Sequence, residues 1–377
     1  MTGDFTSDLY ARLTLSHILQ LNAPLCCSLV YKKGAIKALE TIKSIINGHT
    51  TGEKSIDEYA VSVKPYLEAF SAEKAFNVAS KLGATLLTPE SEKWPNSLNS
   101  LAEFTPIMLY VLGGSNLASL SESSVSIVGA RNCSEYGASI AYDFAYQVAE
   151  RGYTVCSGGA LGVDIKAHLG ANAAKGGNVA FIASGVDKLT PSSNETILQN
   201  VIKAGGSVVS EYPVGARPTA FRYLERNRLI AAFSNATCLI EAEHRSGAIS
   251  TANHANNLSR PVGAVPGRVD SATSVGCHTL IREARATLIS SVDDLVELAQ
   301  NSFEAPLVER EAGDGLDMRS GEVDVMRLFG KFRTLNAERV AKELVLPLSE
   351  CTKVLVRLQL RGYIRSTTKG YIRVKNR

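Results

Sequence analysis

Between residues 81 and 300 the chain repeats one pattern: a short apolar run, a loop rich in Gly, Ser or Asp, then a segment of helical periodicity. Seven such runs occur: VSIVGA (125–130), YTVCSG (153–158), NVAFIAS (178–184), GSVVSE (206–211), ATCLIEA (236–242), PVGAVPG (261–267) and ATLIS (286–290). Continuous β-branched runs suit strands buried on both faces. Their alternation with helices demands right-handed βαβ crossovers and a parallel sheet. The expected fold class is therefore α/β, with an extended Rossmann-like parallel sheet over residues 81–300.

At 377 residues the chain exceeds one ordinary domain, and its flanks read differently. Residues 1–80 carry apolar positions at spacings of three and four, as in DLYARLTLSHILQL, and predict a small helical domain similar to a helix-hairpin-helix or SAM-like unit. The glycine-rich hairpin that such units turn toward DNA phosphates is replaced by Leu21-Asn22-Ala23-Pro24, so scaffolding or partner docking is expected there. Residues 301–320 are acidic, lack apolar periodicity and read as a linker. Three amphipathic segments and a β-hairpin around Thr367-Thr368-Lys369-Gly370 then predict a winged helix over 321–377, with Ser349 capping its third helix.

The net charge of +3 hides a division: residues 321–377 hold thirteen Lys/Arg against five Asp/Glu, leaving 27 against 32 for the rest. A small basic tail attracts polyanions without sequence specificity. Seven scattered cysteines with no CxxC spacing predict reduced thiols and no zinc site, and no metal or cofactor is called for. With no apolar run of 18 residues and no basic-then-apolar leader, neither membrane insertion nor export is indicated, and a cytoplasmic location is expected.

In a doubly wound sheet, ligands bind beyond the carboxyl ends of the strands, at loops that become helix N-termini. The first loop supplies Gly129, Ala130 and Arg131: a glycine that lets a phosphate approach, and a guanidinium matched to its oxygens, or simply a tight turn. The second, SGGALGVDIKAH, supplies Ser157, Gly158 and Gly159; its Asp164 either holds the loop or touches ligand, and His168 reads as internally hydrogen-bonded. Lys188 lies in the third loop. Arg226-Asn227-Arg228 stand just ahead of a helix and strand, offering donors to an anion unless Glu211 or Glu225 takes them. Ser246 and Gly247 open the last helix. The histidines fall on separate elements, no Ser–His–Asp or Cys–His arrangement can be specified, and neither GxGxxG nor GxxxxGK[ST] occurs, so no catalytic residue is assigned.

In order, WPNSL (94–98), IVGAR with SEYG, SGGALGVDIKAH, SEYP, RNRLIAAFS, SGAISTANHA, RPVGAVPG and SVGCHTLI resemble the DNA-processing protein A (DprA/Smf) family over about residues 90–300. The resemblance implies a non-enzymatic protein that binds and protects single-stranded DNA, helps load RecA recombinase during natural transformation, and forms a homodimer through its Rossmann-like domain. It also implies that the loop residues named above line the DNA groove. LTPSSN departs from the family where an aromatic usually precedes the proline, and YLERNR replaces a more basic approach.

Two other classes are open. The fold also resembles nucleotide phosphoribohydrolases, but Asn253 stands where their catalytic glutamate is expected, and an amide cannot serve as the base. Alternatively the winged helix, with Lys353, Arg357 and Arg361 four residues apart, makes the chain a regulator that binds duplex DNA.

Overall fold

The computed structural model describes residues 7–19, 23–114, 116–244 and 246–301 and, of the chain beyond, parts of 325–373. Two compact units are distinct, residues 1–306 and 307–377.

In the first unit, five helices precede the sheet: α1 (Ser7–Leu19), α2 (Ala23–Lys33), α3 (Ala35–Ile46), α4 (Lys54–Glu68) and α5 (Ala72–Lys81). Their apolar faces close on one another around Leu15, Ile18, Ile42 and Val63, and the same core takes in Ile107, Tyr212 and Ala216 from the sheet side. A buried arginine strengthens that junction. The Arg12 guanidinium donates to the Ile107 carbonyl at 2.7 Å and pairs with Asp8 at 2.6 Å and Glu90 at 2.7 Å.

The sheet strands are β1 (Thr85–Leu87), β2 (Leu109–Gly113), β3 (Ser124–Val128), β4 (Thr154–Ser157), β5 (Asn178–Phe181), β6 (Ser207–Ser210), β7 (Ala236–Leu239), β8 (Val262–Ala264) and β9 (Thr287–Leu288). Their order is β1-β2-β6-β5-β4-β3-β7-β8-β9. All seven expected runs form strands, and β3 to β9 are mutually parallel. Two further strands, not expected from the sequence, extend this parallel core: β1 and β2 join it antiparallel at the β6 edge, with Val111 opposite Val209. These two strands, of three and five residues, fall outside the run–loop–helix repeat that marks the others.

The intervening helices are α6 (Leu117–Glu122), α7 (Glu135–Glu150), α8 (Val163–Ala173), α9 (Glu195–Lys203), α10 (Ala220–Phe233), α11 (Gly247–Asn257), α12 (Val275–Arg282) and α13 (Val292–Gln300). Apolar residues of α7, α8 and α13 cover one face of the central strands; those of α10, α11 and α12 cover the other. Burial on both faces is why these strands lack polar alternation. The chain runs outward through β3, β4, β5 and β6, then returns to place β7 on the opposite side of β3. The switch point of the doubly wound sheet therefore lies between the carboxyl ends of β3 and β7.

The described part of the second unit comprises a helix at Ala337–Leu344 and a hairpin pairing Ile364–Thr367 with Gly370–Arg373, around a core that includes Leu335, Val340, Leu355 and Ile364. Ser349, Lys353, Arg357, Arg361 and the segment 302–320 lie outside the described residues. Among the described residues the seven cysteines form no disulfide, and six of them are buried. Among the described residues no helix is long and apolar enough to cross a membrane, and no cluster of His, Cys, Asp and Glu could hold a metal ion.

Candidate nucleic-acid interface

A cavity of about 400 Å³ opens at the switch point. Seven of the twelve expected site residues line it: Gly129, Ala130, Arg131, Arg226, Asn227, Ser246 and Gly247.

Its floor is the turn after β3. Gly129 is packed so tightly that a Cβ there would meet the Val163 side chain at 2.7 Å. The neighbouring turn has a stricter requirement at Gly162, which holds φ +77° and would place a Cβ 2.2 Å from the Ala130 carbonyl oxygen. Only glycine fits this close approach, and it lets Val163 N donate to Ala130 O at 3.2 Å. Beyond the turn, Ser134 caps α7 by accepting from Gly137 N, and both its own N–H (2.8 Å) and hydroxyl (2.7 Å) donate to the buried Glu241 carboxylate. Thr273 adds a third donor to Glu241 at 3.0 Å. Glu241, unremarked in the sequence reading, thus anchors the β3 turn to the end of β7. Its signal was a lone carboxylate within the apolar run ATCLIEA.

Arg131 is exposed, with its guanidinium 4.8 Å from the centre of the Tyr223 ring. Tyr223 also lines the cavity and is half-buried, so a cation and an aromatic face are presented together. Ser246 caps α11 by accepting from Ala248 N at 3.2 Å, and the first turn of that helix holds no acidic residue to offset its positive dipole end. Asn227 donates to the Gly247 carbonyl at 3.1 Å and ties α10 to that terminus.

Arg226 reaches the same cavity but is turned inward. Its buried guanidinium donates to the carbonyls of Gly158, at 2.5 Å, and of Phe181. A Cβ at Gly158 would lie 2.6 Å from both Arg226 Nη1 and Asp164 Oδ2, so glycine is what allows the two charged groups to close over the second loop. Burial raises the Asp164 pKa against the pull of Arg226, and burial lowers that of Arg226 against the pull of Asp164. Asp164 also accepts from Ala160 N at 3.4 Å, the loop-holding alternative of the sequence reading.

The other five expected residues do not line the cavity. Arg228 is buried in a two-pronged ion pair with Glu211, at 2.7 and 2.8 Å; burial works against its charge, but Glu211 holds its pKa raised. Because α10 begins at Ala220, residues 226 and 228 sit within the helix about 200° apart, so their side chains leave it in different directions, Arg226 to the second loop and Arg228 to Glu211. The Ser157 hydroxyl donates to the Ile127 carbonyl inside the sheet. Gly158 and Gly159 give their carbonyls to Arg226 and Asn194, and Lys188 is exposed elsewhere. Asn253 also lies off the cavity lining and accepts from the Arg285 guanidinium.

His168 is fully buried, with Nδ1 2.6 Å from Asn178 Oδ1, and burial lowers its pKa to about 4. An unfolded chain would bind this proton near pH 6.5. The stabilisation is whole above pH 6.5 and disappears as pH falls toward 4, at ~1.4 kcal/mol per unit. Between pH 7 and 5, the native protein is expected to lose about 2 kcal/mol more than a His168→Leu variant in urea unfolding. Parallel pH profiles would remove this role.

Residues 85–300 match the family model for DNA recombination-mediator protein A, more than half of the chain. The chain belongs to the DprA/Smf family. Protein Smf of Escherichia coli is 30% identical over 294 residues, 77% of each chain. The DprA relative from Mycobacterium tuberculosis is 38% identical over 250 residues, and the match spans 63% of that relative's length. Among solved structures, DprA of Streptococcus pneumoniae superposes with a TM-score of 0.61 at 26% identity, covering 78% of this chain and 98% of its own. DprA of Helicobacter pylori, whose structure is described for its single-stranded DNA binding mode, gives 0.51 at 26% identity over 58% of this chain and 96% of its own. The relatives from Mycobacterium tuberculosis and Streptococcus pneumoniae are described as DNA-processing proteins.

Proposed function

We propose that this chain binds single-stranded DNA in the switch-point cavity, shields it from nucleases and passes it to RecA recombinase during DNA uptake. The carrying observation is Arg131 over Tyr223 beside the N-terminus of α11, in one concavity. A phosphodiester oxygen has the guanidinium, held over the Tyr223 ring, and the helix dipole as partners. A cavity of about 400 Å³ is of small-ligand size, which suits an unstacked nucleotide.

Within this reading Arg131, Asn227, Ser246, Gly247, Gly129 and Ala130 face the strand. Arg226, Gly158, Gly159 and Ser157 hold the loops in place, and Arg228 holds α10. The protein is cytoplasmic, needs no cofactor or metal, and forms a homodimer through the Rossmann-like domain. Residues 1–80 act as a SAM-like domain, 301–320 as a linker and 321–377 as a winged helix that docks DNA or protein. A mobility shift comparing single- and double-stranded oligonucleotides, with and without residues 321–377, tests this. The single strand should be preferred by both proteins; preference for duplex that disappears on truncation would instead make the chain a winged-helix regulator.

A further inference from the structure

The helical layer carries a second concavity, of about 740 Å³, unlike the first in chemistry. Lys32 and Lys33 at the end of α2 and Lys37 in the first turn of α3 form one side of it. Thr41 and Ser44 continue the same face of α3 at spacings of three and four, and His49 stands in the following loop. Glu40 is the one carboxylate on the lining, and the lysines form no ion pair among the described residues.

The loop wall is tied together by hydrogen bonds to Asp57, which keep that carboxylate anionic. Thr50 and Thr51 donate their hydroxyls to Asp57 at 2.5 and 2.8 Å, and Thr51 N adds a third bond at 3.0 Å. Lys37 is also misplaced for helix stability, because the first turn of a helix favours anions and repels cations. Lys32 and Lys33 at a helix end have an ordinary role in offsetting the dipole; Lys37 does not. The only large apolar group on the lining, Ile45, is buried. A protein partner would call for an apolar centre, whereas a polar groove bearing three lysines suits phosphates.

We propose that this groove of Lys32, Lys33 and Lys37 binds the phosphodiester backbone of the same DNA strand as a second contact, outside the switch-point cavity. The assignment revises the sequence expectation of a helical domain without DNA contact, and it rests on the single-strand reading above. The bases are left unread there, so the groove adds affinity and salt dependence but no sequence preference.

The test uses the full chain and fluorescent oligothymidylates of roughly 6 and roughly 40 nucleotides, below and above the reach of one small binding site. A K32E/K37E variant should bind the long strand about tenfold more weakly, with its log–log salt slope shallower by about 1.4 for two lost phosphates. The short strand should be held as before, and Lys32 and Lys37 of the native protein should be shielded from amine acylation by the long strand while Lys54 is not. If K32E/K37E leaves long-strand affinity and slope unchanged while Arg131→Ala weakens both strands, the groove proposal is overturned alone, and the face is left to an acidic partner protein. If neither strand binds the native chain, the single-strand reading fails and the groove proposal with it.

Discussion

An Arg226→Ala variant is expected to be less stable than the native protein by about 3–5 kcal/mol, and to lose strand binding even where it remains folded. The side chain is buried behind the cavity wall, with its guanidinium also 5.9 Å from the centre of the Tyr223 ring. It satisfies the Gly158 and Phe181 carbonyls and stands against Asp164, whose carboxylate would be left buried without its cationic neighbour. In a unit of this size the loss corresponds to a fall in melting temperature of roughly 10 °C. Arg226→Lys should recover part of the charge but not the two-carbonyl geometry, since an ammonium lacks the planar fork. Because Arg226 holds the second loop in place, its removal should weaken binding at every salt concentration without the change of slope expected of a phosphate contact. A stable Arg226→Ala protein with a shallower slope would instead make this arginine a direct ligand.

Breaking the Glu211–Arg228 pair should cost nearly as much, again about 3–5 kcal/mol for Glu211→Ala, because the Arg228 guanidinium would stay buried and unpaired. The two side chains are only 2% and 8% exposed, so solvent cannot replace the missing partner. A Glu211→Leu/Arg228→Met double variant should recover most of the loss, as apolar groups of similar volume often replace a buried pair without penalty. Cys27 of α2 lies beside this pair, and both burial and Glu211 raise its pKa, so the damage should spread to the junction between helical layer and sheet. Urea unfolding of the single and double variants measures the coupling. Equal stability for all of them would show that the pair contributes nothing.

These expectations mark what the sequence made legible. The strands β3 to β8 could be read because each is a run of residues that a doubly covered sheet buries; β9 repeats the pattern although its two residues are exposed. The position of the cavity followed, since loops after such strands meet at the switch point. β1 and β2 could not be read from the run–loop–helix repeat, because their place at the β6 edge depends on a long-range antiparallel pairing.

Within the site, residue type was legible and direction was not. Arg131, Arg226 and Arg228 offer the same chemistry in sequence, yet one is exposed over Tyr223, one clamps two carbonyls and one is locked to Glu211. The helix start was the missing information. Placing α10 from Ala220 rather than after Arg228 puts the RNR run inside a helix and forces its two arginines onto opposite sides. Glu241 went unnoticed for a related reason: a carboxylate ending an apolar strand looks like a loop residue until its three donors are seen.

The most direct measurement is the affinity for a single strand as a function of salt, for native protein and for Arg131→Ala. The substitution removes an exposed side chain, so the fold should be unchanged while affinity falls and the log–log slope becomes shallower by about 0.7, one phosphate's worth. An Arg131→Ala protein that binds the strand with native affinity and native slope would contradict the account, because the switch-point cavity would then not be where the DNA lies.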